Sequence, residues 1–303
     1  MFHEGERAVQ SRAGVERVAA QVGRGVLDLI PDEFGQFLRR QPFVILAGRG
    51  PGGRVWASPL VGGVGFARAV DERHVLLAGA PDADDPLATA FDPPGGRIGI
   101  LAIEADTRSR IRLNGLAERT PDGILVTIDE AFGNCAKYIQ RRIPIERREP
   151  PLSPRHGSST RLDEDQAGRV HAADTFYIAS GHPERGADAS HRGGRPGFVE
   201  VAAGGTSLRF PDYKGNRMFQ TLGNLVVDPR IGLLIIDWGS GVALQLSGRA
   251  RIVWDEDEVA ATPGAERLVE VAIDAVHERE GAMPARWRLL EPSPFNPPVA
   301  RGA

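Results

Sequence analysis

An internal repeat constrains the fold of this chain more than any other feature. The segment Phe43-Val-Ile-Leu-Ala-Gly48 recurs 133 residues later as Phe176-Tyr-Ile-Ala-Ser-Gly181, and Arg97–Glu104 recurs at the same spacing as Arg230–Asp237. Further matches at this spacing or one residue less are Leu113–Ala117 with Leu246–Ala250, Ala57-Ser58 with Ala189-Ser190, Gly62 with Gly194, and Gly65-Phe66 with Gly197-Phe198. Because these matches are collinear, the sequence predicts two copies of one fold in tandem.

Each copy is predicted to consist of short strands. Apolar or alternating runs bounded by Gly, Pro and Asp favour strands at 44–47, 75–78, 98–103 and 111–116, with counterparts at 176–179, 198–201, 231–236 and 242–246. Several short strands with few helices are typical of small barrels.

Helical spacing of apolar residues predicts four helices. They are one after Pro31 with Phe34, Phe37 and Leu38, one capped by Asp129 with Phe132, Ala136 and Ile139, one capped by Asn216 or Asp212 with Met218, Leu222, Leu225 and Val226, and one over 264–281.

Composition excludes several classes of protein. With 41% hydrophobic residues the chain can bury a core, and a net charge of −3 leaves no basic surface for nucleic acid or an anionic membrane. The single cysteine, Cys135, excludes an internal disulfide and a cysteine-built zinc site. No long apolar run and no signal-peptide pattern are present, so we expect a soluble, cytoplasmic protein.

The two copies differ in chemistry at one turn. The first copy reads Ser58-Pro-Leu-Val-Gly-Gly-Val-Gly-Phe66, where the second reads Ser190-His-Arg-Gly-Gly-Arg-Pro-Gly-Phe198. Pro59, Leu60 and Val61 are thus replaced by His191, Arg192 and Gly193. A hydroxyl, a guanidinium and closely approaching glycine amides suit a phosphate monoester, although a solvated Arg/Gly loop would look the same.

A second difference between the copies also favours an anion in the second copy. The acidic stretch Ala80-Pro-Asp-Ala-Asp-Asp-Pro86 is replaced by Pro211-Asp-Tyr-Lys-Gly-Asn-Arg217. A helix start flanked by Lys214 and Arg217 favours an anion at its free amides. Together the two differences predict a phosphate site in the second copy only.

Other candidate chemistry is weaker. His182 and His191 lack a third ligand at convincing spacing, so no metal site is expected. Cys135 is interpreted as a small apolar residue, and no Rossmann glycine motif is present. Lys137, Tyr138 and Arg141 share one face of the helix predicted after Asp129. They would contact a bound anion, or form a solvated face.

The phosphate-site residues carry a resemblance to a known family. The runs Ala187–Phe198, Phe210–Asn216 and Thr221–Leu225 resemble the pyridoxamine 5′-phosphate oxidase-like flavin proteins. Phe2–Arg7 and Phe132–Gln140 are similar to a two-barrel, flavin-nucleotide-binding branch of that family.

The resemblance implies a mostly β fold of two tandem six-stranded Greek-key split barrels with flanking helices, which bind FMN. It also implies a homodimer and a small-molecule substrate. The phosphate would be held by Ser190, Arg192, Asn216 and Arg217, with His191, Gly193 and Lys214 beside it and Lys137 and Tyr138 as further contacts. The oxidases themselves have a Ser-Arg-Lys turn where this chain has Lys-Gly-Asn-Arg. We therefore expect an FMN-dependent oxidoreductase that is not a vitamin B6 oxidase, or alternatively a non-catalytic flavin or haem binder.

The predicted domains follow from the repeat. They are 1–146 (helices, a first barrel with a degenerate site and a connecting helix), 147–168 (a linker), 169–256 (the flavin-binding barrel) and 257–303 (a helix and a tail). No residue is assigned as a catalytic acid or base.

Overall fold

A computed structural model describes residues 2–92, 96–147 and 156–299. Three short helices precede the first sheet: α1 (Glu4–Arg12), α2 (Glu16–Gly23) and α3 (Asp32–Arg39). His3 and Glu6 form a reciprocal capping box at the start of α1. Pro31 lies directly before α3, whose Phe37 and Leu38 are buried, so the helix predicted there is confirmed.

The first copy is a seven-stranded antiparallel sheet. Its strands are β1 (Phe43–Arg49), β2 (Val55–Val61), β3 (Ala67–Ala69), β4 (His74–Leu77), β5 (Gly96–Glu104), β6 (Ser109–Thr120) and β7 (Gly123–Gly133). They lie in the order β2-β1-β5-β6-β7-β4-β3.

The second copy repeats this arrangement after β8 (Arg141–Arg147), β9 (His156–Ser159) and α4 (Glu164–Ala172). Its elements are β10 (Thr175–His182), β11 (Gly186–Gly193), β12 (Glu200–Val201), β13 (Ser207–Tyr213), α5 (Gln220–Val227), β14 (Arg230–Ile236), β15 (Ala243–Val253), α6 (Glu256–Ala260) and β16 (Ala265–Arg279). The order is β11-β10-β14-β15-β16-β13-β12, with β9 added beside β16, and β17 (Ala285–Glu291) pairs with β8.

The two sheets have the same strand order, and the mostly β fold class is confirmed. Even an irregularity repeats: the pairing register shifts between Asn114 and Gly115 in β6 and between Ser247 and Gly248 in β15. The strand order common to both sheets has seven strands rather than the expected six. The additional strands are the short edge strands β3 and β12.

The register corrects the repeat spacing in the first strand. Leu46 pairs with Ser58 where Ile178 pairs with Ser190, so β1 corresponds to β10 at 132 residues rather than 133. A one-residue slip moves a side chain to the opposite face of a strand. Phe43 accordingly lies in the apolar cluster between the copies, whereas Phe176 lies in the core of the second copy.

The copies pack against each other through two equivalent close approaches. A Cβ on Gly99 of β5 would lie 2.6 Å from the backbone nitrogen of Ala189, and a Cβ on Gly232 of β14 would lie 2.6 Å from the Cα of Trp56. Glycine is required at both places because the strands touch backbone to backbone. This packing places β11 against β5 and β6, and β2 against β14 and β15.

Two predicted helices and one predicted strand are wrong. The helices after Asp129 and over 264–281 are replaced by the end of β7 and by β16. Within 264–281, Val269, Val271 and Ile273 also alternate with the two-residue period of a strand. Pairing with β13 on one side and β15 on the other selects the strand. The counterpart of β4 is β13 rather than residues 198–201, of which only Glu200 and Val201 form a strand.

The segment predicted as a linker, 147–168, includes β9 and the beginning of α4, while residues 148–155 lie outside the described residues. Among the described residues no helix is both long enough and apolar enough to cross a membrane.

Candidate functional site

A cleft lies where the second copy meets β6 of the first copy. It is lined by the end of β11, the connection from β13 to α5 and the first residues of α5. The polar lining residues are Arg110, Arg112, Asn134, Tyr138, Ser190, His191, Arg192, Asp212, Asn216, Arg217, Gln220 and Thr221. Of the predicted cofactor residues, the cleft brings together Ser190, His191, Arg192, Gly193, Asn216, Arg217 and Tyr138.

Strand β11 supplies the wall predicted from the sequence. Arg192 donates from Nη1 to Ser190 Oγ at 2.9 Å, and its Nη2 lies 3.5 Å from Asp212 Oδ1. Gly193 is needed here because a Cβ would lie 2.0 Å from the carbonyl oxygen of Tyr138. Among the described residues, the guanidinium of Arg192 has one ion pair, the long one with Asp212, and it lines the cleft.

Two further arginines come from β6 in the first copy. Arg112 forms an ion pair with Asp188 and donates to Gln220 Oε1 at 3.0 Å. Arg110 forms no ion pair in the part of the chain that the structure describes, and it donates to His191 Nδ1 at 3.0 Å. Burial, with the charges of Arg112 and Arg192, lowers the pKa of Arg110 to about 9.

Sequence reasoning missed these two arginines because they lie outside the copy that carries the phosphate motif. A signal was available: Arg110 and Arg112 alternate on one face of β6, where the second copy has Ala243 and Gln245. The phosphate-type turn differs by cations that the second copy gains, whereas these two arginines belong to the first copy.

Several buried donors in the cleft have no partner among the described residues. They are the Nε atoms of Arg110, Arg112 and Arg192, and His191 Nε2. Burial and the neighbouring arginines lower the pKa of His191 well below its usual value, so its ring is neutral. Because Arg110 donates to Nδ1, the ring proton lies on Nε2. Unpaired buried donors are costly, so this arrangement indicates an anionic ligand.

The N-terminus of α5 adds main-chain donors. The residue before it, Phe219, has φ 62° and makes no side-chain cap. Asn216 Oδ1 instead accepts from the backbone nitrogen of Met218, and Asp212 lies within β13, so the predicted cap of this helix is wrong. The first residues of α5, whose amides lack a side-chain cap and carry the positive end of the helix dipole, line the cleft.

Backbone strain is concentrated at the same place. Four described non-glycine residues have positive φ, and three of them, Tyr138, Arg217 and Phe219, line the cleft. Such conformations cost about 1–3 kcal/mol each and cluster at binding sites.

The remaining predicted residues have other environments. Arg217 is already paired with Glu266 at 2.6 and 2.8 Å. Lys214 is exposed and meets the site only through its carbonyl oxygen, which accepts from the Tyr138 hydroxyl. Lys137 lies over the ring of Phe295. The helix predicted to align Lys137, Tyr138 and Arg141 is absent, and Cys135 is exposed.

One histidine cluster was not foreseen. His3, Glu4 and His182 place ligand-type atoms within 4.8 Å of one another. Every ring nitrogen is already used: His3 contacts Gly5 and Asn224, while His182 contacts Glu4, Glu184 and Arg185. The cluster therefore caps and joins segments, and it leaves neither histidine a free ring nitrogen for a metal.

The fold and site together define a class of protein: a mostly β chain of two like sheets with one cationic cleft between them. Residues 162–292, which include the whole second copy from β10 to β16, match the family described as pyridoxamine 5′-phosphate oxidase. The second copy is therefore similar to the pyridoxamine 5′-phosphate oxidase-like split-barrel family. No curated protein matches the sequence.

Solved structures are similar to parts of the chain. HupZ of Group A Streptococcus is 9% identical, with a TM-score of 0.31 over 46% of this chain and 100% of its own. A FAD-binding protein of Mesorhizobium loti is 12% identical, with a TM-score of 0.29 over 43% and 100%. The FAD binding protein of Mycobacterium smegmatis is 12% identical, with a TM-score of 0.27 over 42% and 98%. At these scores the likenesses support neither a ligand nor an activity.

Proposed function

We propose that this protein binds FMN in the cleft between its two copies and acts as a flavin-dependent oxidoreductase. The observation that carries the proposal is the set of buried guanidinium and imidazole donors without partners. A phosphate monoester would accept from several of them at once, which neutral ligands cannot do as well.

The donor chemistry fits the phosphate end of FMN. Arg192, Arg110 and Arg112 supply charge, Ser190 supplies a hydroxyl, and the first amides of α5 supply main-chain donors. In a site lined by β-strands and a helix start, these groups are held before the ligand arrives, so binding requires little reorganisation.

The other lining residues suit the remainder of a flavin. The rings of Tyr138 and Tyr213 are in a tilted contact with centroids 5.3 Å apart, and Phe198 and Phe219 add apolar surface. The bound cofactor would supply the electron or hydride transfer. The chain's own residues would bind it, orient it and exclude water, and we assign no acid or base among the described residues that line the cleft.

The first experiment is to denature the purified protein and identify the released small molecules by mass spectrometry. FMN, together with a flavin absorption spectrum before denaturation, is the expected result. FAD would support a flavin protein but contradict FMN, and a red protein with a Soret band would replace the proposal with haem binding.

Turnover separates an enzyme from a carrier. We expect the flavin-loaded protein to be reduced by NADH or NADPH and reoxidised by an added acceptor. A flavin that no nicotinamide donor reduces would leave a flavin-binding protein without the proposed activity.

A homodimer, a small-molecule substrate and a cytoplasmic location complete the proposal. Arg110 and Arg112 reach the cleft from the same chain, so the cationic site needs no partner chain; a dimer would serve to cover exposed strand edges. Light scattering at micromolar concentration checks the dimer, and the mass of one 32.6 kDa chain would contradict it.

A further inference from the structure

The first copy contains a structural counterpart of the cleft that is closed by its own side chain. Ser58 occupies the register position of Ser190, and Gln245 occupies that of Arg112, because Ser58 pairs with Leu46 as Ser190 pairs with Ile178. Gln245 pairs with Leu234 as Arg112 pairs with Leu101. As β6 borders the cleft of the second copy, β15 borders this counterpart.

A buried carboxylate occupies the counterpart. Asp85, in the connection between β4 and β5, is 4% exposed, and its Oδ1 accepts from Ser58 Oγ at 2.6 Å and from the Leu87 backbone nitrogen at 2.8 Å. Gln245 Nε2 lies 2.7 Å from Ser58 Oγ and 3.4 Å from Asp85 Oδ2.

These donors are of the same kinds as those of the cationic cleft: a serine hydroxyl on the second strand, a main-chain amide of the following connection, and a side chain from the other copy. A cation is also near. The charge of Arg279 opposes the effect of burial, which raises the pKa of Asp85. Arg279 is buried, and its Nε has no partner in the described part of the chain.

The neighbouring acidic residues do not share this position. Asp82 forms an ion pair with Arg279, and Asp84, which is exposed, lies 3.3 Å from His156. Of these three carboxylates, only that of Asp85 accepts hydrogen bonds from the donors around Ser58. The side chain of Asp85 therefore places an anion where a ligand's anion would otherwise bind.

We propose that the first copy retains an anion-binding site, that the carboxylate of Asp85 occupies it permanently, and that small carboxylates or phosphate bind there once this carboxylate is removed. The same correspondence places the ligand anion of the second copy beside Ser190, Arg112 and the start of α5. The inference concerns the first copy and does not depend on flavin binding.

The test replaces Asp85 by alanine, which removes one carboxylate and leaves a space that formate matches. Thermal unfolding of D85A is measured with rising formate and with inorganic phosphate, both in the native background and with R192A to weaken anion binding in the other cleft. Anion binding to the folded state raises Tm by linkage, on the order of 5 °C at saturating formate.

Two variants serve as controls. D84A removes an exposed carboxylate from the same connection, and D85N keeps the side chain in the site while it removes the charge. We expect formate to stabilise D85A beyond the wild type, D84A and D85N, with the same gain in the R192A background. Three outcomes would overturn the proposal. The first is equal stabilisation of all four proteins by formate, and the second is no effect of formate on D85A. The third is a D85A protein that stays unfolded at every formate and phosphate concentration.

Discussion

At the scale of single residues, the cleft holds charge that the unliganded fold does not need. Arg110 is the clearest case, since it lacks a carboxylate partner in the described chain and its pKa is lowered by burial. Ionisable groups with strongly shifted pKa values cluster at functional sites, so Arg110 supports the proposed FMN site.

Arg192→Ala is expected to weaken FMN binding about 10- to 150-fold, because a charge-assisted contact to phosphate contributes about 1.5–3 kcal/mol. Arg68→Ala, on β3 and away from the cleft, is the control and should leave the affinity unchanged. Fluorescence titration of FMN measures both, and equal losses would remove Arg192 from the site.

Arg110→Met should move stability and binding in opposite directions. The variant no longer buries a cation beside Arg112 and Arg192, so its Tm without ligand should rise, while its affinity for FMN should fall at least 10-fold. Thermal unfolding and the same titration test this pair of outcomes. A lower Tm with undiminished affinity would show that Arg110 is structural.

Glu6 makes stability depend on pH. Burial, with the charges of Glu130 and Asp188, raises the pKa of Glu6 to about 7 from its ordinary 4.5. The folded state therefore holds this proton more tightly, and stability should fall as pH rises from about 5 to 8, by about 2–3 kcal/mol.

The variant Glu6→Gln can still cap α1 and should lose this pH dependence, so that it is more stable than the wild type at pH 8. Urea unfolding at pH 5 and pH 8 measures the difference, with the exposed Glu16→Gln as control. A parallel loss of stability in wild type and Glu6→Gln would assign the pH dependence to another group.

At the scale of elements, α1 supports the helix whose N-terminus faces the cleft. The two helices touch backbone to backbone, since a Cβ on Gly223 of α5 would lie 2.6 Å from the Cα of Glu6, and one on Gly5 would lie 2.2 Å from the carbonyl oxygen of Gly223. His3 also contacts Asn224 at 3.1 Å. The sequence places these glycines, but only the fold shows that they meet.

Gly223→Ala should therefore destabilise the protein by about 1–3 kcal/mol and shift α5, with a loss of FMN affinity. Gly168→Ala in α4 is the matched control, because its Cβ meets nothing within 4 Å, and it should stabilise by about 0.5–1 kcal/mol. Urea denaturation of both variants gives the comparison, and a stabilising Gly223→Ala would show that α1 and α5 separate freely.

At the scale of the whole molecule, the two copies have become chemically different while they keep the same strand order. The cleft beside β6 contains arginines and hydrogen-bond donors without partners among the described residues. Its counterpart beside β15 contains Ser58, which is hydrogen-bonded to Asp85 and to Gln245. Each chain should therefore bind one flavin.

The flavin-to-protein ratio after saturation and gel filtration, from absorbance and amino-acid analysis, measures this directly. The expected value is near one because a phosphate dianion would meet the Asp85 carboxylate in the first copy. A ratio near two per chain, or flavin bound against Ser58, would contradict the assignment.

The sequence by itself determined the repeat, the strand class and the phosphate-type residues of β11, because alternation, turn glycines and side-chain chemistry are local properties. It did not determine the nature of 264–281, since Val269, Val271 and Ile273 satisfy a strand while their neighbours satisfy a helix, and pairing with β13 and β15 decides. Only the tertiary structure brought Arg110 and Arg112 to Arg192 and Asp85 to Ser58. Those contacts depend on how one sheet packs against the other, which no local pattern in the chain encodes.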